Sequence, residues 1–492
     1  NHTHPMSKRR TSRVLMPALL FTSLLVTTAG AQETVDPGRI TALTVEQARN
    51  LKPKRGSLRF EKLTELTPAV AAILAEQEAE LTFNAVTSLS AESAKALAGH
   101  KKSLSFPKLA GIAADAAQAL ARHEGGSLTL NGLPTVSPEV AKALVDYKGD
   151  LHLDGAKEVS ADAAAVLAGR KGAIHLGGLT SLTSIPLAQK LGGQNFMNLN
   201  ALATVSDDVG RALFMSPDAK NIELYLGLKE LSLGTAKAMG ERGRTVGAHF
   251  HMNELESIPD EIAEALSCKA AIRCSKVTML SDRAAKTLNQ FNHSHMYALS
   301  DVSNEALEMF SKRGGFMIHG LKKLDSVPFA STVMSNNSSF LDLNQLATIS
   351  DEAADALAKD AIRSKRGVVP LPALKSLNSV ALAEVLAAQK GNLRLPKLEK
   401  VSDAALGALV AHKGPIDLSG LTTLQAPQAA ALAKALAGRE DELVLNGVQE
   451  LSDEAARALA ETKGRISLPR LTKISESSAA ALRKNAGISF PK

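Results

Sequence analysis

The chain has 492 residues and a formal net charge of +7. Four of the positive charges, Lys8, Arg9, Arg10 and Arg13, sit in the first 31 residues, which carry no acid. Taking them away leaves +3 on the rest, a nearly balanced body that gives no basis for nucleic acid or an anionic membrane as partner. With 45% hydrophobic and 22% charged residues the composition is globular, and 3% aromatics without Trp exclude a base-stacking platform or an aromatic sugar-binding groove.

The chain opens with a basic stretch at residues 7–13, an apolar run at residues 14–28, and the small residues Ala29, Gly30 and Ala31. That order is the pattern of a secretory signal peptide, with Met6 as a start and cleavage before Gln32. An uncleaved anchor is the alternative, but the run is shorter than the roughly 20 residues a membrane span needs. The expectation is a signal peptide over 1–31, a linker over 32–43, and export to the periplasm, cell envelope or extracellular space. After cleavage no stable membrane span is expected.

From residue 44 the chain repeats. Leu128 to Gly149 reads LTLNGLPTVSPEVAKALVDYKG, and Leu443 to Gly464 reads LVLNGVQELSDEAARALAETKG. The residue seven before the last helical Leu marks each copy. The markers run Thr44, Thr67, Ser90, Ala113, Ser137, Ser160, Ser184, Ser206, Ser232, Pro259, Ser281, Ser303, Ser326, Ser350, Ser379, Ser402, Ala429, Ser452 and Ser475, about 19 copies at a mean period of about 24 residues over 44–492. A unit this short cannot bury its own apolar face, so copies must stack.

Each copy predicts a short strand and then a helix. Leu128-Thr129-Leu130 alternates with a period of two, the sign of a strand with one face inward. Ala455, Ala456, Leu459 and Ala460 share a helical face, behind Ser452 as N-cap and with Asp453 and Glu454 in the first turn. Pro68 and Pro138 fit the same first-turn position in other copies. The Lys-Gly pairs, such as Lys148-Gly149 and Lys413-Gly414, read as a favourable C-terminal charge followed by a left-handed glycine cap. Strand, turn, helix and turn every 24 residues require parallel strands with the helices on the other side. On these residues the chain resembles the leucine-rich-repeat family, in particular the secreted bacterial type with repeats of about 24 residues. The resemblance covers residues 44–490 and implies an α/β solenoid of horseshoe or arc shape, with a parallel β-helix as the alternative fold. One departure is clear. The polar residue follows the second strand Leu directly, as Asn131, Asn200, Asn344 and Asn446, rather than three residues on.

Longer intervals fall around Ser232 and Pro259 and before Ser379. They are read either as drift or as the mark of a binding region. Cys268 and Cys274 leave three readings open: a core hydrophobe, a local disulfide in an oxidising compartment, or a metal ligand. No nucleophile elbow, zinc helix or phosphate loop is present, and the acids are spent on helix first turns. No enzyme activity, cofactor or metal site is therefore expected.

The outward residue of each strand forms a row: Arg59, Thr82, Ser105, Thr129, His152, His175, Asn198, His251, Arg273, His295, Met317, Asp342, Arg394, Asp417, Val444 and Ser467. The middle of this row is unusual. His152, His175, His251, Arg273 and His295 occupy it, and His249, His293 and His319 lie nearby. These are the candidate ligand-binding residues, suited to an acidic ligand whose affinity would rise as pH falls through about 6.5. The alternatives are a solvated face without a role and a metal site, for which His251 and His295, about 10 Å apart at their backbones, are poorly placed. The expected function is an exported, non-enzymatic scaffold or recognition protein binding a protein or envelope ligand. A purely structural envelope component without a discrete ligand is the alternative.

Overall fold

A computed structural model describes residues 36–491 except 52–55, 219–221, 247, 268–269, 291–293, 314–315, 336–342, 365–367 and 439–441. The leader and its cleavage site lie outside the described residues. Of the stretch read as a linker, residues 36–43 are described, and Leu43 is buried against the first copy.

Among the described residues nineteen α-helices alternate with short strands, and every described strand pair is parallel. The main ladder follows the predicted strands. One six-stranded sheet runs from Ser57–Phe60 to Ile174–His175, and a second from Phe196–Leu199 to Phe316–Ile318. Further copies pair Leu393–Arg394 with Ile416–Asp417, and Leu443–Val444 with Ile466–Ser467 and Ile488–Ser489. The helices pack each on the next along the other side. Most helices have seven or more residues, and that sets the fold apart from a parallel β-helix. One β-helix-like feature is present all the same. A second minor ladder, such as Thr135–Val136 with Glu158–Val159, forms just before the helices.

The alternation places Leu130, Leu153, Leu395 and Leu445 in one continuous core with no exposure. On the helix side, Ala455, Ala456 and Leu459 are buried, and small Ala side chains let the helix lie close to the sheet. The serines cap as the sequence requires, and they do more. Ser475 Oγ accepts from Ser478 N of its own helix at 3.2 Å and donates to Asp453 Oδ1 of the preceding copy at 2.5 Å. Ser232 pairs with Asp207, Ser281 with Asp260 and Ser303 with Asp282 in the same way. The first-turn acids therefore stitch copy to copy as well as facing the helix dipole.

Three sequence readings change. The marker Ala429 falls inside its helix, which runs Ala426–Ala435 with Gln425 at the N-cap position, where Gln425 N donates to Gln428 Oε1. The glycines of the Lys-Gly pairs are not left-handed caps, apart from Gly391 with φ +91°. A Cβ on Gly149 would lie 2.2 Å from Gly126 O, and one on Gly414 2.6 Å from Gly391 O. Close approach of the neighbouring copy, not backbone handedness, requires glycine there. The long intervals are absorbed largely on the helix side, where Leu233–Thr245 and Asp351–Ser364 are extended, rather than as loops on the strand face.

A buried polar ladder runs along the turns that follow the helices. The residue just past the helix, two before the position that the Lys-Gly copies fill with glycine, reaches back to carbonyls of the previous copy. His100 Nδ1 lies 3.1 Å from Ala75 O, and Tyr147 Oη donates to Gly126 O at 2.8 Å. Arg170 donates to Leu144 O at 2.8 Å and Gly149 O at 2.7 Å, and Asn485 Nδ2 to Thr462 O at 2.8 Å. The rings of His100, His123 and Tyr147 stack at centroid separations of 6.0 and 6.1 Å, with Arg170 over Tyr147 at 5.6 Å. Burial holds both histidines below their ordinary pKa of 6.5 and pushes the Tyr147 phenol up to about 12.

Candidate functional site

The strand register confirms the outward row. Thr129 pairs with His152 and His152 with His175. In the second sheet the order is Asn198, Tyr225, His251, Arg273, His295 and Met317. Tyr225 was missed. Its signal was the alternation Leu224-Tyr225-Leu226, obscured by the long interval before Ser232. Asp342 and His293 lie outside the described residues.

The five candidate residues fall into two groups on two sheets. His152 and His175 stack with centroids 4.1 Å apart and planes within 6°. His152 Nδ1 is 3.8 Å from Asp154 Oδ2. Asp154 in turn accepts from Asn131 Nδ2 at 3.2 Å and Gly177 N at 2.8 Å, so the polar residue after the second Leu forms a short ladder of its own. The neighbouring His152 imidazole holds the Asp154 carboxyl below the usual carboxylate range, and burial followed by the charge of His152 holds His175 below 6.5.

The second group is His251, Arg273 and His295. These three point outward, yet His251 and His295 are only 5% and 8% exposed. Tyr225 lies face to face on His251 at 4.2 Å, and Arg273 occupies the matched position on the other side. With strands roughly 4.8 Å apart, planar side chains in one row cover each other. At His251 and His295 the row is thus shielded rather than solvated, while Asn198, Tyr225 and Arg273 are half-buried. Burial first and Arg273 second hold His251 below 6.5, against the opposing pull of Glu223. The acid-driven gain in charge expected at about 6.5 therefore moves to lower pH.

Ring contacts join both groups. His175 meets Phe196 at 6.2 Å across the interruption between the sheets, and Phe196 meets Tyr225 at 5.7 Å. Beyond Arg273, His295 meets Tyr297 at 6.1 Å and Tyr297 stacks on His319 at 4.8 Å. Phe196 and Tyr297 are exposed at 43% and 40%. Both were missed, because they occupy outward positions one step before and one step after the central row. His249 is exposed on the same row as Glu223.

Cys274 is a free thiol, fully buried, and burial pushes its pKa up to about 12. It is a core residue in this structure; Cys268 lies outside the described residues. Among the described residues no group of three or more His, Cys, Asp or Glu could hold a metal ion, and no helix is long and apolar enough to cross a membrane.

No known family profile matches the chain, and no curated protein matches it. Among solved structures it is similar to a leucine-rich-repeat protein of Leptospira interrogans, at 17% identity and a TM-score of 0.39, covering 92% of this chain and 99% of that one. It is also similar to a chain of the Drosophila Toll–Spätzle complex, at 11% identity and a TM-score of 0.30 over 67% of this chain and 47% of that one. A chain of the yeast Rad7–Elc1 complex is similar at 14% identity and a TM-score of 0.25, over 80% and 85%. By its own parallel strands, periodic leucines and outer helices, the protein is a leucine-rich-repeat-like α/β solenoid.

Proposed function

We propose that the protein is an exported, non-catalytic recognition scaffold that binds a protein or cell-envelope ligand along the strand face between His152 and His319. The observation that carries this reading is the run of rings. The central outward row holds Thr, Ser, Arg, Asp or Val in the flanking copies, whereas the outward positions of the middle copies concentrate His, Tyr and Phe, of which Phe196, His249 and Tyr297 are exposed. Rigid aromatic side chains on an extended face are the usual anchors of recognition surfaces. Export is supported by the leader sequence.

Capture from envelope extract by the mature chain tests the reading. Phe196→Ser with Tyr297→Ser should abolish capture of a partner that the unaltered chain retains. Lys95→Ser with Lys142→Ser, on the helix side, should not. Equal capture by the strand-face variant overturns the proposed surface. Material sequenced from the cell exterior should begin at Gln32; a start at Met6 or Ser7 overturns cleavage.

A further inference from the structure

We infer that Phe196, Tyr225 and Glu223 form a docking corner for an arginine side chain of a partner protein. The inference rests on the strand-face reading above and names the chemistry by which that face would hold its partner.

The first ground is a set of side-chain contacts that joins the three residues. Phe196 and Tyr225 have ring centroids 5.7 Å apart and planes inclined at 47°. Tyr225 Oη donates to Glu223 Oε2 at 3.0 Å. Glu223 and Phe196 are directly paired in the strand ladder, so the carboxylate and the ring start from neighbouring backbone positions. The corner is open to a partner: Phe196 is 43% exposed, Glu223 is exposed, and Tyr225 is half-buried between them.

The second ground is charge. Among the described residues Glu223 forms no ion pair, and its Oε1 accepts no side-chain hydrogen bond. Asp154, the acid of the other group, is by contrast occupied by His152, Asn131 and Gly177 N. Arg273, the cation of the central row, lies two strands beyond Tyr225 with His251 between them. The hydrogen bond to Glu223 pushes the Tyr225 phenol above its ordinary 10, so at neutral pH it stays a donor and holds the carboxylate in place.

The third ground is ring geometry. An aromatic face is the negative side of a quadrupole, and a cation over such a face beside a carboxylate is attracted by both. His251 covers Tyr225 from one neighbouring strand, at 4.2 Å and 12°. Phe196, on the strand at the other side, is tilted by 45° from His175 and by 47° from Tyr225, so neither ring lies flat on it. A guanidinium is planar, and it can lie over a ring while its fork of donors reaches a carboxylate; an ammonium has neither the plane nor the fork. That selects arginine over lysine. The acidic ligand expected from the histidines has the wrong charge for this corner. His251 Nε2 and Arg273 Nε are closed to solvent, whereas the Glu223 side chain is exposed.

The test is calorimetric titration of the full mature chain with a blocked pentapeptide carrying a central arginine between leucines. A counterpart has citrulline, neutral and of the same shape, in place of the arginine. The arginine peptide should bind about five- to tenfold tighter, the difference expected for a charge-assisted contact with a cation over a ring. Glu223→Gln should erase that difference. Phe196→Leu should weaken the arginine peptide more than a lysine peptide, because only the guanidinium stacks. Tyr225 is a positioning residue, so Tyr225→Phe, which keeps the ring and frees the carboxylate, should shrink the preference for arginine over citrulline without removing it.

Equal binding of the arginine and citrulline peptides by the unaltered chain overturns the corner, needs no variant to fold, and leaves the strand-face reading standing. Failure of both peptides to bind at millimolar concentration overturns the corner as well. Argininamide alone binding as tightly as the peptide overturns the assignment to a protein partner. An arginine preference that Glu223→Gln erases, alongside unchanged partner capture by the Phe196 and Tyr297 variant, keeps the corner and overturns the wider surface.

Discussion

Arg170 is a severe test of the polar ladder. Its side chain is 3% exposed and donates to three carbonyls, Leu144 O at 2.8 Å, Gly149 O at 2.7 Å and Ala173 O at 3.3 Å. Arg170→Met keeps much of the aliphatic volume and removes every one of these bonds. Hydrogen bonds to a charged group contribute about 1.5–3 kcal/mol each. At the lower figure, and with the 3.3 Å bond counted as weak, the loss is about 3–4 kcal/mol. Against this stands the relief of no longer burying a guanidinium, a cost visible in the lowering of its pKa by burial. Gly149 O, which loses its donor while Leu144 O keeps Tyr147 N and Ala173 O keeps Leu151 N, works the other way. The expected net destabilisation is therefore about 3 kcal/mol. Because a solenoid loses copies locally, the assay is hydrogen exchange by mass spectrometry across residues 144–176, together with urea unfolding. Arg170→Lys should recover only part of the loss, since an ammonium cannot fork to Leu144 and Gly149 together. If Arg170→Met changed protection of this segment by less than about 0.5 kcal/mol, the ladder would not hold the copies together.

Acid should destabilise the N-terminal copies. His100 and His123 are held below 6.5 in the folded state by burial, so their contribution is fully present above the unfolded value of about 6.5 and is lost as pH falls through the folded values. Urea midpoints at pH 7.5 and 5.0 should show this loss, and His100→Gln with His123→Gln should reduce the difference; an unchanged difference would assign the acid sensitivity elsewhere. Leu153→Ala, at a site with no exposure, should cost about 2–5 kcal/mol in a urea melt. Two glycine substitutions should differ in sign. Gly149→Ala collides with Gly126 O and should cost about 1–3 kcal/mol, whereas Gly407→Ala, inside Asp403–Leu409 with nothing within 4 Å, should stabilise by about 0.5–1 kcal/mol. Thermal melts of the two variants that moved in the same direction would refute the close-approach argument.

The period, the alternating strand leucines and the capping serines were legible because each is a local device. Ser452 caps its own helix three residues on, and Leu128 and Leu130 share a face through the geometry of a single strand. The outward row was legible for the same reason, and its register placed His251, Arg273 and His295 side by side as the spacing required. What tertiary structure decided lies between copies, among residues some 21 to 28 apart in sequence. Gly149 could be read locally only as a helix cap; its real constraint is the carbonyl of Gly126 in the copy before. Tyr147 and Arg170 gave no local sign that they would donate to the preceding copy. Burial of His251 depends on Tyr225 and Arg273 arriving at matched register from neighbouring strands, and the exposed Phe196 and Tyr297 join the row only through those same strands. A repeat pattern states what each unit buries, but which polar atoms meet or go unmet is fixed only when two units are pressed together at one strand spacing.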